Sequence, residues 1–422
     1  VRTIDVELAP ECAYVDLDTD GVHRRRRVDY RAGGPWGLTR WTDPADRSAY
    51  VVFSGALGGA ADLLGDAGGP DDLVPTTLTV RVSGDHAGPP PVSVVPPTGL
   101  LAGHHLGFAA GPWRRTERNG VAIHARRSSD ADLGVPLAET AAVLGWMLDL
   151  FGGEAPWGSE YVQVLVPDAP WLAVEHPGCV LLSERLLTTD PARRVAVLAH
   201  EAAHQWIGNL VPPASWPDLG VVEGLAELLG QLACRDLLGT AADAYLDHRR
   251  RPGPLARVPG VDPRTRVETA GLAEVTGPAQ HAELLRTVHD DLGAAGFRDG
   301  LRALVGSRRG LPTSAAQVWR ALGAESREPA QVRLPAVAGH GGATWTRALH
   351  DLRRTDPATA VVHARRAFRA APPGGQRVEQ ALAALADATL PTAVAVGLAT
   401  ELAGPADPPE PALARSNARM PD

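Results

Sequence analysis

The segment His200-Glu201-Ala202-Ala203-His204, followed 19 positions later by Glu223 (223 − 204 = 19), constrains this chain more than any other stretch. Residues four apart share one face of a helix, so His200 and His204 can grip one ion together. A glutamate from a second helix supplies a third ligand and leaves one coordination position open. That open position separates a catalytic zinc site from a structural one. Glu201, next to the first ligand, is placed to take a proton from a metal-bound water. The arrangement needs two helices that meet, and the local sequence provides both. Asp190 is an N-cap, and Pro191 stands at the first helical position, where its missing N–H does no harm. The first helix then runs through Val195, Val197, Leu198 and both histidines before Gly208 ends it. A turn at Trp216-Pro217-Asp218 leads into the second, about Val221 to Leu238, which carries Glu223.

A chain of 422 residues has ample length for a buried core and for two or three domains. Its 44% hydrophobic and 21% charged residues are those of a globular protein, and a net charge of −8 argues against a nucleic-acid binder. All 41 basic residues are arginine, which excludes Schiff-base lysine chemistry. The run Arg24 to Arg27 reads as a solvated strand edge, and Arg249 to Arg251 as a helix C-terminus. Cys12, Cys179 and Cys234 are odd in number and widely spaced, which points away from a disulfide framework and toward a reducing cytoplasm. No uninterrupted apolar run reaches the roughly 18 residues of a membrane span, and the opening Val-Arg-Thr-Ile-Asp lacks a signal-peptide pattern. Neither a membrane nor a nucleic acid is therefore an expected partner, and the oligomeric state is not legible.

Residues 1–130 read as a β-rich domain, with alternating stretches at Ala49 to Phe53 and Thr77 to Val82 between Gly, Pro and Asp clusters. From Pro136 the pattern changes. Leu137 to Phe151 is helical and closed by Gly152-Gly153, and Tyr161 to Val166 and Val180 to Leu182 are apolar strands. Helices continue to about residue 330, the clearest from Gln280 to Asp291. A helical region over 331–403 and a Pro-rich, disordered tail over 404–422 complete the expected order.

The ligand helix, His200-Glu201-Ala202-Ala203-His204-Gln205-Trp206-Ile207-Gly208-Asn209-Leu210-Val211, resembles that of the zinc aminopeptidase N family, gluzincin metallopeptidases with a thermolysin-like catalytic domain. Trp216-Pro217-Asp218-Leu219 before Glu223-Gly224 is similar to the family's Trp-x-Asp-Leu and Glu-Gly segments. Gly37 to Pro44 and Phe108 to Trp113 resemble stretches of its N-terminal β domain, so the likeness spans about residues 37 to 325. The resemblance implies an α+β multidomain protein: an N-terminal β-sheet domain, a mixed α/β catalytic domain over 131–330, and a helical C-terminal region far shorter than is usual. It implies one zinc ion per chain on His200, His204 and Glu223, with Glu201 as the catalytic base. It also implies a peptide or a small amino-bearing molecule as substrate.

Two departures qualify that reading. The family's Gly-Ala-Met-Glu-Asn, followed by Pro-Gly, corresponds to Leu172-Ala173-Val174-Glu175-His176-Pro177-Gly178. The resemblance assigns Glu175 to the substrate's free α-amino group and sets Ala173 against the substrate, but Leu172 replaces a glycine and His176 an asparagine. The family's oxyanion-stabilising tyrosine has Pro278 in its slot, counting back from Gly293 (293 − 15 = 278). No other tyrosine is nearby in sequence; His281 or His176, if protonated, would be the alternative donors. Glu227, one turn after Glu223, is either an acceptor for a ligand histidine's other nitrogen or a surface carboxylate. His104-His105 and His289-Asp290 read as structural. The expected activity is an aminopeptidase-like zinc hydrolase, weakened or altered. The alternatives are a catalytically inactive homologue acting as a binding or scaffold protein, and a zinc hydrolase of a specialised metabolite.

Overall fold

The computed structural model describes residues 1–250 and 278–323, apart from 32–36, 57–58, 66–67, 84–91, 95–98, 168, 170 and 216–217. The sequence-based expectations for 331–403 and for the tail 404–422 lie outside the described residues. The described residues all belong to one compact unit.

Strands β1 (Arg2–Leu8), β2 (Cys12–Thr19) and β3 (Val22–Asp29) form an antiparallel meander. In β1 every second residue is buried, the period-2 pattern of a strand with one wet face. The arginine run lies on the exposed edge strand β3, where Arg25 pairs with Asp16 across the strands at 3.2 Å. Strands β4 (Gly37–Thr42) and β5 (Ala49–Ser54) pair antiparallel. A single helical turn, α1 (Ala61–Leu64), precedes β6 (Val74–Val82), which joins β1 in parallel. Strands β7 (Val92–Val94), β8 (Gly99–Leu101) and β9 (Gly107–Gly111) complete a five-stranded sheet, β3-β2-β1-β6-β8, and a four-stranded one, β4-β5-β9-β7. Ile4, Val6, Phe53 and Phe108 are among the residues of a common core, with the two phenylalanine rings 5.3 Å apart.

A third sheet begins with β10 (Arg114–Arg118) and β11 (Val121–Ala125). Helix α2 (Gly134–Phe151) follows, then β12 (Tyr161–Val166), β13 (Ala173–Val174) and β14 (Cys179–Ser183). The order β10-β11-β12-β14-β13 is mixed, with β11, β12 and β14 parallel and buried as the sequence's apolar runs require. The change of sheet thus falls between β9 and β10. Helices α3 (Pro191–His204), α4 (Leu219–Leu238), α5 (Asp243–Arg250), α6 (Pro278–Arg308, broken at Gly293) and α7 (Ala315–Ala321) complete the described chain. The protein is α+β.

Helix α2 corrects one expectation. By length and mean hydropathy, 1.3 over 18 residues, it could cross a membrane, which counting uninterrupted apolar runs missed. Leu137, Val143, Met147 and Phe151 nevertheless bury against α3 and the sheet, and Glu139 accepts two hydrogen bonds from Arg194 of α3. It is packed as a core helix. The three cysteines are free and buried.

Candidate metal centre

Helix α3 starts as its sequence dictates: the Asp190 side chain accepts the Arg193 N–H at 2.9 Å, and Pro191 occupies the first turn. Helix α4 lies unusually close to it because Gly230 has no side chain. A Cβ there would fall 2.7 Å from the Ala196 carbonyl oxygen. This close crossing brings Glu223 of α4 opposite His200 and His204 of α3.

The three ligand-type groups converge, with their donor atoms all within 4.8 Å of one another. His200 Nε2 lies 3.0 Å from His204 Nε2 and 3.4 Å from Glu223 Oε2; His204 Nε2 is 3.8 Å from Glu223 Oε1. His204 Nδ1 is 3.1 Å from the Ile207 carbonyl, which can only accept, so Nδ1 carries the hydrogen and Nε2 presents its lone pair. Ligands about 2.0–2.1 Å from a tetrahedral ion are roughly 3.3 Å from each other, and these spacings bracket that value. Two neutral imidazoles and a carboxylate also suit zinc in their chemistry. The residues present therefore fit the ion.

Charge in the site is strongly displaced from ordinary values. Burial alone would raise the Glu223 carboxyl, but His204 and then His200 outweigh it and push it down to about 2. Burial would lower His200, yet Glu223, Glu201 and Glu227 raise it to about 9. Glu201 is 6% exposed, and its Oε2 has no hydrogen-bond partner among the described residues. Burial, reinforced by Glu175 and Glu223 against the pull of His200, lifts it to about 8.

Glu175 follows β13 and is half-buried. Burial raises its carboxyl, and the charges acting on it are those of His204, Glu223 and His200, which puts it beside the ligand cluster. Ala173 lies on β13, the edge strand of the third sheet, and is half-buried. Glu227 is neither of the simple alternatives. Its Oε2 is 3.9 Å from His200 Nδ1, while Oε1 accepts from Arg249 at 3.0 Å and from Gln231 at 2.6 Å.

The sequence reading missed Gln205. Its side chain accepts from the Gly178 N–H at 2.9 Å and donates to the His176 carbonyl at 3.2 Å. The loop carrying Glu175 is thereby stapled to the residue directly after His204. His105 is a second tie, its Nδ1 accepting from the Ala102 N–H and its Nε2 donating to the Gly208 carbonyl at 3.2 Å. Both are long-range contacts with no local signal in the sequence.

Two expectations need correction. Helix α3 ends at His204, not Gly208: the His204 ring takes the Ile207 carbonyl, and Gly208 turns at φ +119°. His176 is no oxyanion donor, since it is fully buried against Gly107 and burial pushes it down to about 3, so it is neutral at neutral pH. Tyr161, distant in sequence, is close in space. Burial and then Glu201 push its hydroxyl well up, and that hydroxyl has no hydrogen-bond partner among the described residues. Helix α6 starts at Pro278, and its His281 packs on α4 at Gly224, one residue from Glu223. Trp206 is core, stacked 4.7 Å from Phe151.

Residues 135–255 match the peptidase family M1 domain. Aminopeptidase N of Bos taurus is 29% identical over 206 residues, covering 44% of this chain and 21% of that protein. Aminopeptidase N of Homo sapiens is 28% identical over 228 residues, covering 48% and 23%, and that of Caulobacter vibrioides is 30% identical over 168 residues, covering 35% and 19%. The segment over residues 135–255 is thus of peptidase family M1 type. The chain matches only about a fifth of the length of these relatives. The matched segment holds α3, α4 and the loop of Glu175, and so every residue of the candidate centre.

Proposed function

We propose that this protein is a zinc-dependent hydrolase of aminopeptidase type, removing N-terminal residues from peptides or hydrolysing a small amino-bearing substrate. One observation carries the reading: three ligand atoms converge beside a buried carboxylate, Glu201, that has an oxygen with no partner among the described residues. His200 Nε2, His204 Nε2 and a Glu223 oxygen would hold one ion per chain. Bound there, zinc would polarise a substrate carbonyl and make water a nucleophile at neutral pH.

The chain's own groups do the rest. Glu201, held near 8 in the metal-free site, would have its carboxylate form favoured by a bound dication and stays within reach of neutral pH. It accepts the proton of the attacking water and hands it to the leaving amine. Glu175 takes the substrate's ammonium, which restricts cleavage to the chain end, and Ala173 lines the approach. Gln205 holds Glu175's loop in register with the ligand helix. The oxyanion receives no tyrosine hydroxyl from the Pro278 position. Losing one such donor lowers turnover by about 10²–10³, so a slow enzyme is expected.

The finer architecture belongs to the same proposal: a β domain before the catalytic region, a thermolysin-like arrangement around α3 and α4, and a cytoplasmic location. The test is zinc stoichiometry together with chelator-sensitive release of an aminoacyl reporter. One equivalent of zinc and abolition of release in Glu201→Gln are expected; retained release in that variant refutes the assignment. Stoichiometric zinc with no turnover of amides or esters would instead support the scaffold reading.

A further inference from the structure

A cavity of about 860 Å³ opens from the candidate centre along α3 toward that helix's N-terminus. His200, Glu201, Ala173 and Glu227 line it at the centre, with Arg249 held on Glu227, and Asp190 and Arg193 line it at the start of α3. Glu175, His204 and Glu223 do not line it, and among charged groups it is His204 and Glu223 that act most strongly on Glu175. The cavity therefore extends past His200 on the side away from the group that would read an amino terminus. Material there follows the scissile bond.

The charges along its wall are unequal in their commitments. The Asp190 carboxylate caps α3. The Glu227 carboxylate is taken by Arg249 and Gln231. Arg193 is exposed and forms no ion pair among the described residues. The uncommitted charge is positive, and the positive end of the α3 dipole adds to it. Between the ends the wall is largely apolar, with Ala196, Val197 and Leu238.

We propose that Arg193 receives the C-terminal carboxylate of a short peptide, so that the preferred substrates are tri- and tetrapeptides with a free carboxyl end. This rests on the aminopeptidase reading of the same site. Arg193 precedes His200 by seven residues, about 10 Å along the helix axis. An extended peptide advances roughly 3.3 Å per residue, so a leaving group of two or three residues brings its carboxylate to the guanidinium. The guanidinium fork matches a carboxylate with two parallel hydrogen bonds, which an amide cannot accept equally.

The test uses the full chain loaded with zinc, in a Glu201→Gln background that stops turnover, titrated calorimetrically with Leu-Gly-Gly and with its C-terminal amide. The free acid should bind at least about fivefold tighter, Arg193→Ala should abolish that preference, and Arg193→Lys should restore part of it. Equal binding of acid and amide, binding of neither, or a preference that survives Arg193→Ala overturns the proposal. Peptide hydrolysis by the unsubstituted enzyme without an acid preference would sink the carboxylate site and spare the peptidase. An acid preference without hydrolysis of any peptide would do the reverse.

Discussion

Gly107 carries the sharpest structural prediction. It lies in β9, paired with Ser54 of β5, directly against the imidazole of His176. A Cβ built there falls 2.3 Å from His176 Cδ2 and 2.5 Å from both Cγ and Nε2. All three are ring atoms, and the ring is 0% exposed, so no flexible end can swing aside. Overpacking of this kind typically destabilises by about 1–3 kcal/mol, and a rigid, enclosed neighbour puts Gly107→Ala at the upper end, about 3 kcal/mol. Removing the ring should remove the penalty. In a His176→Ala background the same substitution should cost under about 1 kcal/mol, a coupling of about 2 kcal/mol measured by a double-mutant cycle in urea unfolding. Because His176 adjoins Glu175, the single variant should also raise KM for an aminoacyl substrate more than it lowers kcat. An equal penalty in both backgrounds, or one under about 0.5 kcal/mol alone, would show that His176 does not occupy this pocket.

Further outcomes are expected at His200, Pro278, Tyr161 and Glu201. His200, raised from 6.5 to about 9 without metal, must give up its proton to an ion. Apparent zinc affinity should rise about tenfold per pH unit up to about pH 8, flatten through 9 and level off above, with about one proton released per zinc at about pH 7–8; a flat profile refutes this. In the metal-free fold the same shift contributes stability that is complete below 6.5 and lost as pH rises through 9. Pro278→Tyr should raise turnover of a free-amino-terminus substrate by about 10², and no change would point to different chemistry. Tyr161→Phe removes a buried hydroxyl without a partner among the described residues and should be neutral or stabilising by about 1 kcal/mol, whereas a loss of stability would mean the hydroxyl is bonded in the site. Glu201→Gln should stabilise the metal-free protein increasingly between pH 4.5 and 8, because the fold holds this carboxyl above its ordinary range; a gain confined to acid pH would refute that cause.

Much of the centre was legible because its information is local. Asp190, Pro191 and the four-residue spacing of the histidines define α3 without reference to the rest of the chain, and the strand Tyr161–Val166 was bounded correctly by its apolar run. What escaped was three-dimensional. Nothing near Gln205 in sequence says that it bridges to residues 176–178, and nothing near Gly107 says that an imidazole fills its face. Tyr161 sits 40 positions before Glu201 (201 − 161 = 40), and only the crossing of α3 over the sheet sets them together. The helix end was misjudged for a related reason, since the His204 ring competes for the Ile207 carbonyl in a way that propensity cannot register.

The departures at 172, 176 and 278 raise the question of whether the site has been abandoned, and burial energetics weigh on the answer. A buried carboxylate oxygen with no partner is destabilising, by about 1–3 kcal/mol or more, and glutamine or leucine would fill the same space more stably. Glu201 binds no metal in the proposed scheme, so ligation does not account for it. The His204 imidazole, the Gln205 amide and the Glu227 carboxylate find partners, whereas the Glu201 oxygen, the Tyr161 hydroxyl and both His176 ring nitrogens have none among the described residues. Of these unmatched groups Glu201 is the carboxylate next to the ligand His200, where the proposed function would use it to carry a proton. His176 leads to the same conclusion from the other side. It replaces the family's asparagine yet turns into the core, so the change falls on the loop's anchorage and leaves Glu175 beside the ligand cluster. Of the three departures, the missing hydroxyl at 278 is the one that would reach the proposed chemistry, and losing one oxyanion donor would slow such a reaction by about 10²–10³ without abolishing it.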